Sequence, residues 1–254
     1  MSDFLLAALF VTATWFFSTG GILWMNRLPR ELHQGAIVAA VPGMAAAFLG
    51  HIVAASEVSP ASAYLAFASA IAIWGWHEMA FLMGFVTGPN REPLAPGVRG
   101  YARFRASAGT LIHHEIALAL TLGLMAALTL GQPNQVGTQT FALLFAMRLS
   151  TKFNIFLGVS NLSAELLPDH LGYMQSHFRK ARMNALFPVS LVASAALLVA
   201  LGTHALDDTG AALLFTLAAL GLLEHLLMML PVRDAEMWKW AMPRLNPDHD
   251  QGRE

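Results

Sequence analysis

Five ionisable residues stand inside otherwise apolar runs: Glu78, Glu115, Arg148, Lys152 and Glu224. Histidines accompany three of them, in the strings Trp74-Gly75-Trp76-His77-Glu78, His113-His114-Glu115 and Glu224-His225. Asp, Lys or Arg at the centre of a membrane helix costs about 2.5–3.5 kcal/mol, so such groups face a partner, a cavity or a ligand. Three chemistries suit this set. Glu78, His114, Glu115 and Glu224 could hold a non-haem iron or manganese, since imidazole and carboxylate suit those metals and helix bundles hold such centres. Neighbouring His-Glu residues lie about 100° apart on a helix, however, which departs from the Glu-x-x-His spacing of carboxylate-bridged pairs. Alternatively, His77, His113, His114 or His225 could ligate the magnesium of a tetrapyrrole or donate to a quinone, with Trp74, Trp76 and Phe81 as flat walls. Thirdly, the carboxylates could pair with Arg148 and Lys152 as a buried charge network that fixes the packing and binds nothing. The residues leave catalysis undecided, and no catalytic residue is singled out.

The surrounding composition says what must position these groups. The 254 residues are 56% apolar and 12% charged, against about 25% charged in soluble domains. Cysteine is absent, which excludes disulfides, thiolate metal sites and cysteine nucleophiles. A net charge of -1 offers no electrostatic footprint for nucleic acid. A spanning helix needs about 20 apolar residues, and the pattern predicts seven: 4–25, 35–56, 61–87, 107–130, 136–160, 187–206 and 211–230. The expected fold is therefore an all-α, single-domain, polytopic protein of the lipid bilayer.

Lys and Arg fall in alternate loops. Arg27 and Arg30 lie in the first, Arg91, Arg99, Arg103 and Arg105 in the third, Arg179, Lys180 and Arg182 in the fifth, and Arg233, Lys239, Arg244 and Arg253 in the tail. The intervening loops hold none, which predicts a periplasmic N-terminus and a cytoplasmic C-terminus. Measured from the cytoplasmic helix ends at about 1.5 Å per residue, Glu78, His113–Glu115, Lys152, Glu224 and His225 share a layer about 8–14 Å deep, with Arg148 one turn deeper. His51 falls in the opposite half, near the periplasmic surface. Segments Pro168–Arg182 and Asp234–Leu245 interleave apolar and basic residues and read as short interfacial helices on the cytoplasmic side. A Schiff-base lysine is missing from the last span, which excludes a retinal protein, and no paired helix breaks suggest a transporter. Gly84 and Gly88 form an isolated small-xxx-small pair in the third span. The likeness of His77-Glu78-Met79-Ala80 to His114-Glu115-Ile116-Ala117 is read as coincidence, because those spans run antiparallel.

Longer strings carry a resemblance. The runs Trp74–Pro89, Gly131–Thr138, Met147–Val159, Asn161–Leu171 and Met183–Pro188 resemble the photosynthetic complex assembly protein 2 family of purple bacteria, also called PuhE. The resemblance implies a multi-pass protein of the bacterial inner (intracytoplasmic) membrane, encoded among photosynthesis genes. It implies help in accumulating reaction-centre and light-harvesting complexes, a link to bacteriochlorophyll supply, and partners among their subunits and pigment-synthesis proteins. It transfers no catalytic assignment to any residue. The alternative reading of the same layer is a His/Glu metal-dependent oxidoreductase acting on a tetrapyrrole, carotenoid or quinone.

Overall fold

The computed structural model describes residues 1–162, 166–230 and 234–241. Arg233, Arg244, Leu245, Arg253 and the side chain of Lys239 lie outside the described residues, as do residues 163–165 within the run Asn161–Leu171. The described chain is helical: α1 Ser2–Asn26, α2 Arg30–Ala39, α3 Val41–Ala55, α4 Pro60–Leu82, α5 Gly100–Ala108, α6 Ile112–Leu128, α7 Val136–Leu157, α8 Leu186–Gly202 and α9 Thr209–Leu227. Among the described residues, five stretches are long and apolar enough to cross a membrane: α1, α2 with α3, α4, α7 and α9.

The count of seven is thus not reached, for two reasons. Helices α5 and α6 would supply a sixth span only as one bent unit, because they meet at 64°. Helix α8 has 17 residues, about 25 Å against a hydrocarbon core of about 30 Å. The third span also ends early. Helix α4 stops at Leu82 because the chain turns at Gly84, whose φ of 84° favours glycine, and the Phe85 and Val86 amides fold back onto the Ala80 carbonyl. Gly84 and Gly88 therefore lie beyond the helix, not on a helix face. Similarly, α7 ends at Leu157, before Gly158 with φ of 123°.

Local chemistry accounts for the helix starts. Ser59 and Ser62 form a reciprocal capping box ahead of α4, with Pro60 at its first position. Asp208 caps α9 by accepting from the Ala211 amide at 2.6 Å. Helices α4, α7 and α9 pack on one another at the centre; α1 covers α4 and α9, α3 and α6 cover α4 and α7, and α8 leans on α9 and α7. Lipid supplies no hydrophobic drive between helices, so close approach relies on small residues. Ala7, Ala63, Ala212 and Ala218 line one such core with Phe67 and Leu213, and Ala47 and Ala70 line another with Ile73, Leu118 and Phe141.

The loops sort to two ends. Asn134 reaches back to Ala54 O at 2.9 Å, and a Cβ on Gly210 would meet Val136, so the segments lacking Lys and Arg gather at one end. At the other, Arg103 donates to Phe156 O at 2.8 Å and the Asn161 amide to Met228 O at 2.9 Å. His51 lies towards the first end but is only 1% exposed, its Nε2 3.4 Å from Met125 O. It is therefore buried between helices rather than placed at a surface.

Both amphipathic segments turn their apolar faces onto the bundle. The 3-10 turns Asp169–His177 bury Leu171 and Met174 against Phe81. In Asp234–Ala241, Trp238 stacks on Phe16 and packs with Leu23, while the Trp240 ring lies over Gly20. Aromatic surface on α1 accepts these residues in place of lipid. Trp240 and Met237 keep about half of their surface exposed.

Candidate functional site

The charged layer assembles where the last turns of α4 and α7 meet the first turn of α6. Glu78 is buried, with Oε2 3.5 Å from a terminal nitrogen of Arg148 and Oε1 3.8 Å from His114 Nε2. One residue along α6, Glu115 accepts a hydrogen bond from Lys152 Nζ. Arg148 and Lys152 stand one turn apart on α7, so one helix presents two cations to carboxylates on two others. The two pairs differ in shielding: the Arg148 side chain is 41% exposed and that of Lys152 only 16%. Phe81 bridges them, its ring 4.6 Å from the His114 ring and 5.7 Å from Lys152 Nζ.

Positions of the remaining candidates follow from helix geometry. His77, 100° round from Glu78, faces α6 and shares a 2.9 Å hydrogen bond with Thr121. His113 is exposed on the outer face of α6, whereas His114 is completely buried and neither of its ring nitrogens has a hydrogen-bond partner. His225 is also completely buried; its Nδ1 contacts Gly221 O and its Nε2 contacts Ser150 Oγ, both at 2.9 Å. Because a carbonyl only accepts, Nδ1 donates to Gly221 O. Glu224 turns the other way and accepts from Trp15 Nε1 at 3.0 Å. Trp74 packs edge-on to Phe141 with ring centroids 5.2 Å apart, and Trp76 Nε1 has no partner.

The family model described as "Protein of unknown function (DUF3623)" matches residues 1–249. The chain belongs to the DUF3623 family. It is 41% identical over 248 residues to the "Uncharacterized 30.4 kDa protein in puhA 5'region" of Rhodobacter capsulatus, covering 94% of this chain and 90% of that protein. No solved structure matches.

In this DUF3623 chain the structure adds residues that charge and histidine content did not flag. Asn154 donates to Ser190 Oγ at 2.9 Å, the Ser190 and Ser150 hydroxyls are 3.0 Å apart, and Ser150 meets His225. Asn184 joins from the chain before α8, donating to Asn154 Oδ1 at 3.1 Å and Gly158 O at 2.9 Å. This neutral network ties α7, α8 and α9. Trp15 is the other addition, linking α1 to Glu224. A polar residue at helical spacing is weak signal alone, although Ser150 and Asn154 do share one face of α7 as an i,i+4 pair.

The break between α5 and α6 also belongs to the site. The Thr87 carbonyl accepts the His114 amide at 3.1 Å, the Asn90 amide donates to Gly109 O at 2.9 Å, and Asn90 Nδ2 donates to Ala106 O at 2.9 Å. Backbone freed by the bend is thereby satisfied by the loop after α4. A metal fits this arrangement poorly. Among the described residues no three His, Asp or Glu side chains come together as a metal-binding group; Glu78 and Glu115 are held by cations and Glu224 by an indole. His113 differs from the other three candidate histidines in being an exposed imidazole, continued along α6 by exposed Ile116 and Leu120.

Proposed function

We propose that this protein is a multi-pass component of the bacterial inner, photosynthetic membrane that assists assembly of reaction-centre and light-harvesting complexes, as the PuhE resemblance implies. The observation that carries the reading is the 41% identical relative named for its place in the puhA 5' region, which favours a photosynthesis-related role. On this reading the chain is one membrane domain crossing seven times, with the bent α5–α6 unit and the short α8 as crossings and the arginine-rich end in the cytoplasm. Sorting of the loops to two ends supports that arrangement. Partners are subunits of those complexes and proteins of pigment synthesis.

Within that role, Glu78–Arg148, Glu115–Lys152 and the Ser150–Asn154–Ser190–His225 network keep the bundle in one packing. His113 is the residue that would hold bacteriochlorophyll, through its magnesium, on the outer face of α6. The imidazole nitrogen would ligate that magnesium, and the apolar stripe beside it would keep water away. The metal-dependent oxidoreductase is not favoured, since its ligands are otherwise engaged.

Deletion of the gene in a phototrophic host tests the role. Near-infrared absorbance of the reaction-centre and light-harvesting complexes should fall and return on complementation, and His113→Leu should complement less well than wild type. Unchanged complex levels in the deletion strain would overturn the assembly reading, while full complementation by His113→Leu would remove the pigment ligand alone.

A further inference from the structure

A groove at the arginine-rich end of the bundle is lined by Arg99, Gly100, Arg103, Phe178 and Arg179. Arg99 and Gly100 open α5, Arg103 follows one turn later, and Arg179 arrives from the segment paired in parallel with Val159. Arg103 is fixed as the floor: one terminal nitrogen donates to Phe156 O at 2.8 Å and His177 O at 2.9 Å, and the guanidinium lies 4.0 Å above the Phe156 ring. Arg99 and Arg179 are exposed at the rim. Among the described residues, no carboxylate forms an ion pair with any of the three. Three like charges therefore line one groove with no carboxylate among the described residues to neutralise them. Such an arrangement stabilises a bound anion.

A second depression lies on the same helix, lined by Tyr101, Phe104, Arg105, Ala108, Gly109 and Ile112. It is largely apolar and open: Tyr101 is 76% exposed and Phe104 41%. From Ile112 it continues onto the exposed Ile116 and Leu120 of α6. Three arginines beside an apolar track suit a molecule with a phosphate at one end and hydrocarbon at the other, and basic pockets at membrane ends take such headgroups. Free phosphate would use only the first half.

We propose that the Arg99–Arg103–Arg179 groove binds the phosphate of an anionic phospholipid, whose acyl chain follows the Tyr101–Ile112 track down α6. The site is separate from the Glu78 layer and does not depend on the assembly role.

Native mass spectrometry of the full-length protein in mild detergent provides the test, with dioleoyl phosphatidylglycerol, dioleoyl phosphatidylcholine and inorganic phosphate as probes. Phosphatidylglycerol should be retained in preference to phosphatidylcholine, and Arg99→Gln with Arg179→Gln should weaken it about 30-fold. Arg30→Gln with Arg91→Gln, which removes two charges outside the groove, should bind as wild type. The double lysine variant, Arg99→Lys with Arg179→Lys, should keep most of the affinity and shows that loss in the glutamine variant is not misfolding. Equal retention of the two lipids would overturn the proposal, as would equal loss in the two glutamine pairs. Inorganic phosphate displacing the lipid completely would replace it with a simple anion site.

Discussion

Lys152 and Arg148 carry the same charge on the same face of α7, and each is paired with a carboxylate of a neighbouring helix. Removing one partner of a buried ion pair leaves an uncompensated charge and costs about 3–5 kcal/mol. Lys152→Ala should therefore destabilise the detergent-solubilised protein by about 3 kcal/mol, and Arg148→Ala, which strands the buried Glu78, by a similar amount. Tryptophan-fluorescence unfolding would measure both. Replacing Lys152 and Glu115 together with methionine should recover much of the loss, because no lone charge then remains; if the double change is as damaging as the single one, the pair is not what Lys152 supports.

At the scale of elements, the join between α5 and α6 depends on a close backbone approach at Gly88. A Cβ there would collide with the Gly109 carbonyl oxygen and lie 2.7 Å from the Leu111 amide, and backbone cannot swing aside as a side chain can. Gly88→Ala should therefore lower stability measurably. Gly123→Ala, where nothing lies within 4 Å, should leave it unchanged or raise it by up to about 1 kcal/mol through helix propensity. The docked turns Asp169–His177 carry a second prediction. Burial holds His170 below its ordinary pKa of 6.5, against the opposing influence of its Nε2–H bond to Leu82 O. The neutral ring thus belongs to the docked form, whose stability is complete above pH 6.5 and declines as pH falls through that value. Hydrogen exchange of residues 169–177 should quicken on acidification, and His170→Gln should remove that pH dependence. The bend itself is not legible in sequence, since the apolar run is continuous across Gly109–Leu111 and hydropathy does not register a change of direction. Charged members of the layer stand out against their apolar neighbours because their insertion cost is high. Ser150, Asn154 and Ser190 do not, since small neutral polar groups carry little penalty in a helix interior.

For the molecule as a whole, sidedness is the property with most consequence. The chain contains no cysteine, so single cysteines can be introduced without a background. Cysteine in place of Gln132 and cysteine in place of Arg91 lie at opposite ends of the bundle and should react with a membrane-impermeant maleimide from opposite sides. On the proposed topology Gln132→Cys labels in intact spheroplasts and Arg91→Cys only after lysis. Labelling of both from one side would refute the loop sorting, and the reverse pattern would invert the orientation while keeping the fold.

Glu78 and Arg148 are 70 residues apart in the chain, and that separation sets a condition on how the protein is made. Ribosomes add about 5–20 residues per second, so α4 emerges several seconds before α7 brings its cations. During that interval the carboxylate has no Arg148 to meet in the bilayer. The ion pair that closes the finished bundle is thus not available while α4 is being inserted, and until α7 is made Glu78 is either shielded beside the insertion machinery or carried into the lipid as the neutral acid.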